Sequence, residues 1–264
     1  MSPGLTSPVI ILSSAVRAGT TLLQRLLCSA PNTLVFGDSV GQEMEFFARY
    51  ATVKEQMLQF HGFGAAAVRN AVLAGDTADF ITSLAPPAPA QLAGWKAAGL
   101  AWVQVCLQEA QAARRAVWGW KMAGADGIAI RRLAEWFPHA RWVWIHRELA
   151  DCFRSAKAAG MVSGPADAAN FAQAAAAASA AFAELALPAL VLDYAAMIQD
   201  PTGTVCALEA FTGARGIQAE VFKVRVNQPG CPTPVPPATL TPDEAAALRG
   251  DFHLHDAARI QLSA

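Results

Sequence analysis

The apolar positions of this chain fall into two registers. Short runs rich in β-branched and aromatic residues recur at 9–13, 33–36, 116–120, 141–146 and 188–192, and between them apolar residues return every three or four positions. The first register suits strands buried on both faces, the second amphipathic helices. Helices are predicted over 20–29, 127–137, 149–159, 167–185 and 201–212. A last one, over 241–249, opens with a cap threonine (Thr241), a first-turn proline (Pro242) and an acid at the third position (Glu244). Strands that alternate with helices predict βαβ units, and so an α/β fold whose parallel sheet is flanked by helices.

One stretch breaks the alternation. From 41 to 115 the pattern is helical, interrupted only by the Pro-rich "APPAPAQLAGW". A helical insertion after the second strand would overhang the carboxyl ends of the strands, where open α/β sheets bind ligands, and it is the predicted substrate lid. A second Pro-rich stretch, 227–240, reads as an extended loop rather than a linker. With 264 residues, the chain is expected to form a single domain, 1–264, that includes the insertion.

Composition narrows the possible partners. Twenty basic and 21 acidic residues leave a net charge of -1, so no overall field favours nucleic acid or an anionic membrane surface. Any anion site must be local, and no nucleic-acid or membrane partner is expected. Cys28, Cys106, Cys152, Cys206 and Cys231 form no C-x-x-C pair and no cluster with histidine at metal-ligand spacing. Reduced thiols, a cytoplasmic location and no metal site are therefore expected. The start, "MSPGLTSPVIILSS", has neither the basic region nor the long apolar run of a secretory leader. The Ala-rich stretch 168–187 carries Asn170, Gln173, Ser179 and Glu184, so it reads as a helix in water rather than a membrane span.

Candidate chemistry begins at "SSAVRAGTT", residues 13–21, between the first strand and the first helix. That is the position of a phosphate loop, but the triphosphate-binding pattern G-x-x-x-x-G-K-S/T is altered: Ser14 stands at its first glycine and Thr20 at its lysine, and the cation is Arg17. A second anchor is "FPHARWVWIHRELADCFRS", in which the strand 141–146 runs into Arg147, with Asp151 and Ser155 following at helical spacing. A nucleotide triphosphatase would end such a strand in a magnesium-holding acid. This one ends in His146 and Arg147, which suit an anion.

Together the two anchors resemble the P-loop-type sulfotransferase superfamily that uses 3′-phosphoadenosine 5′-phosphosulfate (PAPS). Its 5′-phosphosulfate loop, K/R-S-G-T-T-L/W, is matched by Arg17, Ala18, Gly19, Thr20 and Thr21, with alanine replacing the usual serine. Its 3′-phosphate motif, R-x-x-x-x-x-x-x-S, is matched by Arg147 and Ser155. "VWGWKM" is similar to the W-G-x-K strand of carbohydrate and tyrosylprotein sulfotransferases, which makes Lys121 the equivalent lysine. "VLDYAAMIQDPTGTVCALEAFTG" is similar to the Y-E-D-L-x-x-D-P segment and places Tyr194 at the adenosine site. The R-K-G-x-x-G loop of the cytosolic aryl branch is absent, and only Lys223 and Arg225 stand where a C-terminal basic loop would be. The likeness is thus nearer to the carbohydrate, tyrosylprotein and bacterial small-molecule branches.

The resemblance implies a PAPS-dependent sulfotransferase that needs no metal and leaves 3′,5′-bisphosphoadenosine, acting on a hydroxyl or amine of a small-molecule or carrier-bound acceptor. Loop amides and the helix dipole would hold the 5′-phosphate, with Arg17 and Lys121 neutralising charge on the bridging oxygen. A general base is expected near the strand ends. Asp38 is the first candidate, then Glu43, with Glu45, His61 and His139 behind. Asp151 is expected to cap or pair within the fold, and Trp95 and Trp102 are the tryptophans of the insertion that could line an acceptor site. Two other readings stay open: a kinase using ATP and magnesium, with Asp193 as the metal-holding acid, and a nucleotide-binding protein without catalysis.

Overall fold

Residues 7–61, 65–78, 84–224 and 238–249 are described by the computed structural model. Val9–Leu12 (β1) is buried along its whole length, because a strand apolar on both faces must lie between two layers. It pairs with Val117–Met122 (β3) and Arg141–His146 (β4), while Thr33–Phe36 (β2) and Ala189–Asp193 (β5) form the edges. The order is β2-β3-β1-β4-β5 and every pairing is parallel. The chain is therefore an α/β fold with a parallel sheet flanked by helices, as the periodicity predicts.

Parallel neighbours need crossovers, and helices supply them. Thr20–Ser29 (α1) links β1 to β2. The insertion between β2 and β3 consists of Asp38–His61 (α2), Ala65–Leu73 (α3) and Ala88–Ala112 (α4). Gly127–Trp136 (α5) precedes β4, and Leu149–Ala158 (α6) and Gly164–Glu184 (α7) precede β5. Tyr194–Gln199 (α8), Pro201–Thr212 (α9), a 3₁₀ turn Ala219–Lys223 and Pro242–Ala247 (α10) complete the chain. The insertion begins three residues earlier than the helical pattern suggests, since Asp38 itself opens α2.

Strand alternation divides the core in two. Ile10, Leu12, Trp118, Trp120, Trp142 and Trp144 face α2, α4, α5 and the end of α7, whereas Val9, Ile11, Val117, Val143 and Ile145 face α1 and its neighbours. The tryptophans pack by geometry as well as area: Trp144 stacks on Phe182 at 4.3 Å, and Trp120 meets Phe137 edge-on at 5.3 Å. In α7 the buried residues Ala168, Ala172, Ala175, Ala178 and Ala181 form one helical stripe, which explains the alanine-rich stretch as a close-packing face. No helix among the described residues is long and apolar enough to cross a membrane.

A charged latch closes the described C-terminal part. Thr241 and Glu244 form a capping box at α10, and Lys157 on α6 donates to both Glu244 oxygens at 2.8 Å. The Lys157 ammonium and the Thr241 amide hold the Glu244 carboxyl below its ordinary pKa. A depressed acid stabilises the fold above the ordinary glutamate range and loses that contribution as pH falls through the lowered value. Glu244→Gln is expected to melt earlier at neutral pH, and the gap from the parent should shrink on acidification. Thermal melts across the acid limb check this; a gap that stays constant with pH would show that the charge does not matter.

Candidate functional site

In a parallel sheet all carboxyl ends lie at one edge, and here every strand delivers a candidate residue to that edge. β1 leads into the loop 13–19, β2 into Asp38, β3 carries Lys121 at its penultimate position, β4 leads into Arg147, and β5 into Tyr194. The loop is central because β1 is the central strand.

The loop turns sharply into α1. Gly19 caps the helix at φ 114, a conformation side chains rarely adopt, and a Cβ there would stand 2.6 Å from the Tyr194 ring. Gly19 offers no side chain to cap the first turn of α1, and among the described residues none does so, which suits the amides there to an anion. Thr20 is buried and Thr21 exposed. Ala18 is buried in the core beneath α1, which accounts for an apolar residue in place of serine. Ser13, which sequence reasoning passed over, is fully buried; its hydroxyl donates to the Ala15 carbonyl at 2.8 Å and accepts from the Gly124 amide at 3.3 Å. It ties the loop to the turn after β3, and nothing but its place at a strand end marks it in the sequence.

The two anchors meet. Arg17 Nε donates to Ser155 Oγ at 3.1 Å, and Arg147 Nη1 donates to the Arg17 carbonyl at 3.0 Å. Arg17 sits at φ 67, a left-handed conformation that costs a non-glycine residue about 1 kcal/mol or more. The bond from Arg147 helps to hold it. Arg147 also lies over the Tyr194 ring, 4.4 Å from its centroid, and its Nε is buried without a hydrogen-bond partner among the described residues. A buried guanidinium donor left unused beside a second arginine, a serine and uncapped helix amides is what a phosphate would satisfy.

At the other end of the edge, Lys121 and Asp38 form an ion pair of 2.5 Å. The Lys121 side chain is 4% exposed and that of Asp38 49%, so the carboxylate is the pair's opening to solvent. Gly41 lets α2 approach this closely, since a Cβ there would stand 2.1 Å from the Lys121 carbonyl oxygen. Glu43 lies farther along α2 and is exposed. With Ser39, Gln42, Phe46, Phe47 and Trp102 of α4 it lines a groove of about 420 Å³. Glu45 faces a second hollow beside Arg49, and burial, with Asp126 adding to it, raises its carboxyl above the ordinary pKa.

The remaining candidates are dispersed. His139 is exposed in the turn before β4, at the amino edge of the sheet and away from the site. The side chain of His61 and all of Arg225 lie outside the described residues, and Lys223 is exposed at the end of the 3₁₀ turn. Asp151 pairs with Arg154, as expected of a residue that serves the fold. Trp95 packs on Tyr50 at 4.2 Å, and only Trp102 reaches the groove next to Glu43. Asp193 accepts from the Ala196 amide at 2.9 Å as the cap of α8, a structural use of the acid on which the kinase reading relied. Burial pushes the Cys152 thiol, on α6 between Asp151 and Ser155, up to about 12, which leaves no thiolate there to act as nucleophile.

The chain matches the family described as "Sulfotransferase family" over residues 8–217. No curated protein matches it. Among solved structures, the sulfotransferase domain of the Synechococcus PCC 7002 olefin synthase is 15% identical, with a TM-score of 0.52 over 94% of this chain and 96% of that one, a likeness of fold. Sulfotransferase STF1 of Mycobacterium tuberculosis H37Rv is 16% identical, with a TM-score of 0.41 over 92% of this chain and 70% of that one. The family match runs from β1 through α9 and so takes in every strand end that carries a candidate residue: the chain belongs to the sulfotransferase family.

Proposed function

We propose that the protein transfers a sulfuryl group from PAPS to the hydroxyl of an acceptor, releasing 3′,5′-bisphosphoadenosine. The observation that carries the donor assignment is the hydrogen bond between Arg17 and Ser155, which joins a 5′-phosphate loop to a 3′-phosphate motif 138 residues away. One nucleotide bearing both phosphates could bridge them. The amides at the head of α1, with Thr20 and Thr21, would hold the 5′ end; Arg147 and Ser155 would hold the 3′-phosphate; and Tyr194, stacked on Arg147, would border the adenosine.

The donor supplies an activated sulfur–oxygen bond. Asp38, exposed at the start of α2, takes the proton as the acceptor oxygen forms its bond to sulfur. Lys121 keeps donors to spare beyond its bond to Asp38, and these stabilise the charge on the departing phosphate oxygen as the old sulfur–oxygen bond breaks. Arg17 adds a second positive charge on the loop side. The placement of Asp38 against Lys121 favours Asp38 over Glu43 as the base.

Melting shifts test the donor assignment. 3′,5′-Bisphosphoadenosine is expected to raise the melting temperature without magnesium, AMP to do so less, and ATP with magnesium poorly, since a ligand stabilises only the state it binds. Equal shifts from AMP and the bisphosphate would remove the role given to Arg147 and Ser155. A large shift from ATP with magnesium alone would favour the kinase reading.

A further inference from the structure

We infer that the acceptor is an alcohol with an apolar body and no anionic group, lying along the groove between α2 and α4 with its hydroxyl at Asp38. This rests on the sulfotransfer reading above and names the acceptor class for the same site.

Two faces of α2 carry the argument. Val40, Met44, Ala48 and Ala51 point into the core, as an amphipathic helix requires. Another face, Ser39, Gln42, Glu43, Phe46 and Phe47, follows helical spacing and lines the groove with Trp102. Phe46 is 61% exposed on a helix whose other face is core, and it adjoins Phe47 and Tyr50, so a contiguous aromatic surface stays open along the groove. Asp38, Gln42 and Phe46 stand four residues apart on one helix, so a hydroxyl at Asp38 leaves its body running about 12 Å along this face at 1.5 Å per residue. The groove thus shares α2 with Asp38: Ser39, the next residue, already lines it, and Lys121 reaches Asp38 from β3.

Charge sets the class. Among the described residues the groove is lined by one carboxylate, Glu43, and by no basic residue, and the arginine of α2, Arg49, is bound to Asp126 at 3.0 Å. Among the described residues the cations of the site, Arg17, Lys121 and Arg147, stand at or just beyond the strand ends rather than along the groove. Burial raises the Cys106 thiol of α4 above its ordinary pKa, and the nearby Glu43 carboxylate adds to the effect. An anionic acceptor would meet an uncompensated carboxylate and three aromatic rings; a neutral one would meet only the rings. Glu43 therefore acts as a specificity residue rather than the base.

Two alcohols of one length test this, octan-1-ol and 8-hydroxyoctanoate, with bisphosphate binding measured on the same preparations. Sulfation of octan-1-ol is expected to exceed that of 8-hydroxyoctanoate by about 5- to 30-fold in kcat/KM, as suits an exposed charge acting through a partly aqueous path. Glu43→Gln should narrow that ratio. Phe46→Ser, at an exposed position that does not burden the fold, and Trp102→Leu should raise the KM for octan-1-ol several-fold, with the bisphosphate still bound. If the bisphosphate fails to bind, the donor reading fails by itself; ligand-observed NMR with octan-1-ol then still tests the groove, and binding lost in Phe46→Ser supports it. Octan-1-ol that neither binds nor reacts while the bisphosphate binds, or a preference for 8-hydroxyoctanoate over octan-1-ol, overturns the proposal.

Discussion

Asp38→Asn is expected to lower acceptor turnover by about 10²–10⁴-fold, the usual worth of a positioned general base, while bisphosphate affinity survives. The substitution keeps the shape of the side chain and an oxygen that can still accept from Lys121, so the strand-end geometry should persist. It removes the negative charge that compensates an ammonium only 4% exposed. Breaking a fully buried pair costs about 3–5 kcal/mol, but Asp38 is half open to solvent, and water entering beside it will carry part of that charge. Some loss of melting temperature is therefore expected together with the loss of rate. Pre-steady-state product formation at saturating donor separates the two, because a stability defect lowers the active fraction and leaves the rate of the remainder intact. An unchanged rate in Asp38→Asn with a large fall in Glu43→Gln would move the base to Glu43 and would also undo the specificity role given to that residue.

Arg147→Ala is expected to weaken 3′,5′-bisphosphoadenosine by about 10- to 100-fold, since charge-assisted bonds to phosphate are worth roughly 1.5–3 kcal/mol. Arg147 has two duties that this measurement must separate. It would grip the 3′-phosphate, and it braces the loop through the Arg17 carbonyl and the Tyr194 ring. Bracing affects any ligand of the loop, whereas the grip affects only ligands with a 3′-phosphate. Calorimetry with the bisphosphate and with AMP resolves them: the affinity ratio of the two should collapse toward one in Arg147→Ala. Arg147→Lys keeps the charge but loses the planar fork and its stacking on Tyr194, so it should recover part of the ratio. An equal fall for both nucleotides would leave Arg147 with the bracing role alone.

The strands, their parallel orientation and the turn from β1 into α1 are legible in the sequence because each depends on local pattern. "VIIL" is short, β-branched and followed by a glycine-containing loop, which favours a buried strand over a helix, and Gly19 before two threonines marks where the chain turns into α1. Arg147 is legible for the same reason, at the end of a short apolar run. What joins these pieces is not local. The Arg17–Ser155 bond spans 138 residues and the Lys121–Asp38 pair 83, and both exist because the order β2-β3-β1-β4-β5 sets particular strand ends beside one another. Periodicity names the strands but carries no record of their order, so the sequence could rank Asp38 before Glu43 and Glu45 only by its place after the second strand, not by what each acid meets. The fold separates them: Asp38 meets Lys121 at the strand ends, Glu43 lines the aromatic groove, and Glu45 turns toward Arg49 and Asp126. Residues at positions 38, 43 and 45 of one helix project at different angles, and what each direction meets is decided by the elements packed there.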